Sequence, residues 1–199
     1  MQNVISQEEF DKLINLPGKV RGLGVRSYGE YILRNEGRDA LEKLEKTITE
    51  QGYPIEYLKI GNLNFYPLGL ESLTVLAITR LFNYGDQQMR EIGRFQAQSS
   101  IIMRLFMRYF FSIEKVIKEV PKMWAKYYTV GSLKVVEYEP EEKRVVLRLK
   151  DFHSTPLQCS DLRGYFPTVL QMVVGDEVKC EERKCMYRGD EYHEFLMEW

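Results

Sequence analysis

At 199 residues, 44% of them hydrophobic, the chain is long enough to bury one sizeable core. A single domain over 1–199 is expected, mainly helical over 1–130 and built on a sheet with a crossing helix over 131–199. A formal net charge of -1 and a pI of about 6.2 remove the global electrostatic case for wrapping nucleic acid or lying on an anionic membrane. Three cysteines without framework spacing argue against a disulfide scaffold and for a reducing compartment, the cytoplasm.

The N-terminus is acidic early and lacks the basic start and apolar run of a signal peptide, so no export is expected. Ser6 precedes an acidic first turn, and Phe10, Leu13 and Ile14 recur at helical spacing, which predicts a short helix ending near Pro17-Gly18. Two more helices are expected, the second with Ala40, Leu41, Leu44 and Ile48 on one face, and with Gly37 and Gly52 as stops. The aromatic stretch with Pro54 and Pro67 reads as an ordered connection. Helical patterns return from Leu70 to Asn83 and from Asp86 to about Phe111. The second includes an apolar run, Ile101 to Phe111, that is interrupted by Arg104 and Arg108 and too short to span a membrane. Ser112 opens a further helix that Pro121 is expected to kink or restart.

Beyond Gly131 the period changes to that of strands. SLKVVEYE and KRVVLRLKDF flank a turn-like PEE, an amphipathic helix opens at Ser160 or Asp161, and two last strands flank Arg188-Gly189-Asp190. Helices followed by β-β-α-β-β predict an α+β fold, with a helical layer packed on a four-stranded antiparallel sheet.

Chemistry concentrates in the last forty or so residues. Cys159, Cys185 and His193 offer thiolate and imidazole ligands, and Glu137 on the first strand is the expected fourth ligand of a tetrahedral zinc site. Buried thiols acting as small core hydrophobes are the alternative reading. A thiol–imidazole catalytic pair lacks an orienting third group in the sequence, and the glycines at 22, 24 and 29 do not form a dinucleotide-binding pattern. Met103, Phe106, Met107, Phe110, Trp124, Tyr127 and Tyr128 would line an apolar ligand pocket; core packing or a dimer interface would use the same residues. Arg90 with Arg94, and Arg104 with Arg108, share helix faces that suit either anions or internal ion pairs.

Cys159, Gly164-Tyr165-Phe166, Glu182 with Cys185, Gly189-Asp190 and the closing strand resemble the 4-vinyl-reductase-like domain, a relative of the haem nitric-oxide-binding domains and of TRAPP subunits. VRGLGVRSYGEYI and REIGRFQAQ resemble a family of chains of about this length, abundant in myxobacteria and largely uncharacterised. The resemblance implies a helical layer over the sheet, a cavity between them, frequently a dimer, and a zinc site in which His193 replaces a last cysteine, with Glu137, or Glu139 in reserve, as carboxylate. No histidine lies between residues 54 and 152, so haem is set aside as a cofactor; no cysteine precedes Cys159, which removes the acyl-cysteine of some TRAPP subunits.

The resulting expectation is a cytoplasmic, non-enzymatic sensory domain that binds a small hydrophobic ligand, carries a structural zinc, forms a homodimer and signals to an unknown output protein, without nucleic acid or a membrane span. A TRAPP-like interaction adaptor without internal ligand is the alternative, followed by a tetrapyrrole-handling accessory protein.

Overall fold

The computed structural model describes residues 4–99 and 112–199. Helix α1 (Gln7–Ile14) starts at a capping box in which the Ser6 hydroxyl accepts from the Glu9 amide while the Glu9 carboxylate accepts from the Ser6 amide. A short strand β1 (Lys19–Arg21) follows and leads into α2 (Gly22–Asn35) and α3 (Arg38–Glu50). The proline-bracketed connection contains strand β2 (Phe65–Pro67), which pairs antiparallel with β1 through Val20 and Tyr66. Helices α4 (Leu68–Phe82) and α5 (Asp86–Ser99) complete the N-terminal layer. The β1–β2 ribbon is not legible in the sequence, because each strand is three residues long and too short to show a period.

Helix α6 (Ile113–Tyr127) runs through Pro121. Of the kink or restart expected there, the restart does not occur: the helix continues without the one hydrogen bond that proline cannot donate. Strands β3 (Ser132–Glu139) and β4 (Arg144–Lys150) form the expected hairpin. Helix α7 (Pro156–Val174) begins with Thr155 as N-cap and Pro156 in its first turn, earlier than the Ser160 or Asp161 start expected. A proline in the first turn loses no helical hydrogen bond, so it opens this helix rather than excluding it. Strands β5 (Lys179–Lys184) and β6 (His193–Glu198) close an antiparallel sheet of order β3-β4-β6-β5. The fold is α+β, as the element order predicts.

Register decides what faces inward. His193, Phe195 and Met197 on β6 pair with Leu149, Leu147 and Val145 on β4, so these side chains share one face of the sheet. Helix α7 covers that face, with the Phe166 ring edge-on to Phe195 at 5.2 Å. Helix α5 in turn presses on α7 at a pair of reciprocal glycines. A methyl group at Gly93 would collide with the Asp161 carbonyl oxygen, and one at Gly164 with that of Arg90. Glycine at both positions lets the two backbones touch. Among the described residues no helix is long and apolar enough to cross a membrane.

Candidate functional sites

Two buried polar clusters flank α7. The first lies at the corner of the sheet where β6 begins. Cys159 comes from the start of α7, Glu182 from β5, Cys185 from the residue after β5, and His193 from the first position of β6. Their ligand atoms all lie within 4.8 Å of one another. Cys159 Sγ is 3.8 Å from Cys185 Sγ and 3.5 Å from His193 Nδ1, and His193 Nδ1 is 3.3 Å from Glu182 Oε1. A tetrahedral zinc ion with its usual bond lengths spaces two sulfurs about 3.8 Å apart, sulfur and nitrogen about 3.5 Å, and nitrogen and oxygen about 3.3 Å. These three spacings match edges of a zinc tetrahedron.

Local hydrogen bonds hold this corner in place. The Cys185 amide donates to Asp190 Oδ2 at 2.8 Å, and the Arg188 amide donates to the Cys185 carbonyl at 2.8 Å, which gives the Gly-Asp turn of the sequence motif a structural task. Burial, then the Glu182 charge, raises the Cys159 thiol above its ordinary pKa, and burial does the same for Cys185. Burial is also the largest influence on Glu182, pulling its pKa upward, but hydrogen bonds from His193 and both thiols outweigh it and hold the carboxyl below its ordinary value. A metal ion here would displace thiol protons and so bind more tightly as pH rises.

Glu137 takes no part in this cluster. It sits on β3, at the opposite edge of the sheet from β5, about 14 Å away by ordinary strand spacing, and its carboxylate pairs with Arg144 at 2.7 Å. Glu139 pairs with the same guanidinium at 2.8 Å. The carboxylate of the cluster is Glu182, which the sequence offers only as part of the family motif.

The second site is a cavity of about 150 Å³ bounded by α2, α5, α6, α7 and the inner face of the sheet. Trp124, Tyr127 and Tyr128 line it; Met103, Phe106, Met107 and Phe110 lie outside the described residues. Val116, Leu147 and Phe166 are typical of the remaining wall. Trp124 stacks on Tyr128 with ring centres 4.4 Å apart, and its indole N–H donates to the Val130 carbonyl at 3.0 Å.

One end of this cavity is polar. Asp161 and Gln158 of α7 line it. Asp161 accepts a short hydrogen bond from the Tyr28 hydroxyl, and the Gln158 amide donates to that hydroxyl at 3.2 Å. The Tyr128 hydroxyl donates to Glu71 Oε1 at 3.1 Å, while Glu71 Oε2 is buried without a partner. Burial pushes Asp161 up to about 7 against the pull of the Tyr28 hydrogen bond. Burial, then the Asp161 charge, pushes Glu71 up to about 8. Neither acid stands out in the sequence as a site residue. Elsewhere, Arg90 pairs with Asp86 at 2.8 Å, which satisfies its charge within the chain.

No family model and no curated protein matches the chain. Solved structures do match. An H-NOX protein from S. oneidensis in the Fe(II)NO ligation state aligns with TM-score 0.68 at 12% identity over 89% of this chain and 98% of that one. The Fe(II) unliganded H-NOX protein from K. algicida aligns with TM-score 0.63 at 10% identity, over 89% and 95%. A structure described for haem redox potential and porphyrin distortion aligns with TM-score 0.58 at 14% identity, over 90% and 99%. The chain has the H-NOX fold.

Of the resemblances drawn from sequence, the haem nitric-oxide-binding fold is therefore the one the solved structures show. They also correct the expectation that sets haem aside, because the fold is one in which haem proteins are built. The chain's own residues define what haem would meet here. Neither of its two histidines lines the cavity: His193 belongs to the sheet corner and His153 is exposed. At about 150 Å³ the space matches a cavity that holds a single benzene ring. A haem in this cavity would find no histidine in the described walls to bind its iron.

Proposed function

We propose that the chain is a non-enzymatic sensory domain on the H-NOX fold that takes a small apolar ligand into the cavity beneath its sheet, while a structural zinc fastens the sheet corner. The observation that carries the ligand reading is the cavity itself, mostly apolar-walled and lined by α6 and α7. A TRAPP-like adaptor would fill this space with side chains, so the cavity favours the sensor. The zinc reading rests on the match between the spacing of Cys159, Glu182, Cys185 and His193 and a tetrahedron. The structural neighbours bring haem and a bound diatomic gas into the same reading as an occupant to be tested.

Native mass spectrometry of protein purified without chelator, with metal analysis and absorbance of the same sample, tests all of it. The expected result is one zinc per chain and a small apolar molecule released on denaturation, with two chains in the native particle. A Soret band after expression with a haem precursor, shifting on addition of nitric oxide, would replace the generic ligand with haem. Absence of any bound molecule, together with failure to take up added aromatic compounds or haem, would overturn the sensor reading. A metal-free chain that stays metal-free in added zinc would overturn the zinc reading separately.

A further inference from the structure

Two carboxylic acids, Asp161 and Glu71, lie almost fully buried at the same end of the cavity region, at 1% exposure each. Among the described residues, no lysine, arginine or histidine forms an ion pair with either. Their partners are neutral: the hydroxyls of Tyr28 and Tyr128, with Gln158 behind Tyr28. Glu71 Oε2 has no partner and is sealed from solvent. Buried carboxyls are ordinarily paired with a cation or fully hydrogen-bonded, and an unmatched one is costly. The remainder of the cavity wall is mostly apolar, with Glu30, paired to Arg26, and Gln96 among its polar members, and the space is of a size to hold one aromatic ring. Its wall includes the stacked faces of Trp124 and Tyr128, surfaces that attract cations.

These features select a ligand class. An anionic ligand would add like charge beside two acids, and a purely apolar one would leave the acids as they are. A cation with an apolar body would meet a carboxylate with a charge-assisted hydrogen bond and lay its body against the rings. We propose that the cavity recognises a small monocyclic amine in its ammonium form, with Asp161 as the contacting acid, which the guest would hold as its carboxylate, and Glu71 as a second acid behind it. This deepens the sensor reading and rests on it.

Calorimetric titration of the full chain with benzylamine, toluene and benzoate at neutral pH separates amine recognition from ligand binding in general. The expected result is benzylamine binding about tenfold or more tightly than toluene, as a single charge-assisted contact implies, with benzoate not binding. In Asp161→Asn the amine preference should shrink about tenfold while toluene affinity holds. Glu71→Gln should weaken the amine by a smaller factor. Toluene or benzoate matching benzylamine in the wild-type chain would overturn the proposal while leaving a ligand-binding cavity in place. A preference that survives intact in both variants would also overturn it. Failure of all three probes to bind would overturn the proposal, leaving the sensor reading to the mass-spectrometric and haem tests above. If neither variant folds, judged by circular dichroism, the wild-type ranking alone decides.

Discussion

The sheet corner and the cavity pole are both buried polar clusters borne by the start of α7, yet they meet opposite requirements. At the corner, soft ligands face one another at metal-ligand spacing, and one ion would satisfy all of them. At the pole, the acids face phenols and an amide, which stabilise them without neutralising them. A buried cluster thus declares its chemistry by what would cancel its charge: a divalent metal on one side of the helix's first turns, a cationic guest on the other.

Breaking the corner should have the largest effect. Cys185→Ser is expected to reduce bound zinc from one per chain to near zero and to cost on the order of 4 kcal/mol, since loss of a structural metal is among the severe mechanisms. Chemical denaturation with and without EDTA checks this, because chelator should lower the wild-type chain toward the variant and leave the variant unmoved.

The pole should show itself in pH dependence. Burial pushes Asp161 up to about 7 and Glu71 up to about 8 in the folded chain, above the range of unfolded carboxyls. Between that range and about pH 8 the folded chain therefore holds protons that the unfolded chain has released, and stability falls as pH rises. A loss of a few kcal/mol between about pH 5 and about pH 8 is expected. Denaturation midpoints measured across that interval should flatten in the double variant Asp161→Asn with Glu71→Gln; an equally steep wild-type and variant profile would assign the slope elsewhere.

Gly164→Ala tests the helix that serves both regions. Its added methyl meets the Arg90 backbone, and overpacking of this kind costs about 1–3 kcal/mol; a thermal melt reads it directly. The smallest effect belongs to Glu137→Gln. This half-buried partner of Arg144, on the sheet edge, should change stability by about 1 kcal/mol or less and leave zinc content unaltered, and a drop in zinc would return Glu137 to the metal site.

The two regions also differ in how far the sequence discloses them. Cysteine and histidine are scarce in this chain, so Cys159, Cys185 and His193 stand out from residue type alone. Their carboxylate does not, because it is one of 29 acidic residues and its choice depends on strand order. The sequence shows the β3–β4 hairpin but not that β6 inserts beside β4 and leaves β3 and β5 at opposite edges. Asp161 is hidden by its own propensity: aspartate before an apolar run reads as an N-cap, whereas Thr155 takes that role and Asp161 turns inward. Glu71 is concealed by position, since a lone acid in the mostly apolar α4 gives no sign of being sealed inside. The overall α+β order is readable because helical and strand periods occupy separate halves of the chain.

The glycine crossing of α5 and α7 has a mechanical corollary. Cys159 and Asp161 stand two residues apart on a single beam, one anchored in the sheet corner and the other facing the cavity. With backbones in direct contact at the crossing, little slack remains between the beam and its bearing. A shift of its leading end is one motion for both loads, and to whatever extent metal occupancy alters the grip on a guest, the guest must alter the grip on the metal by the same factor.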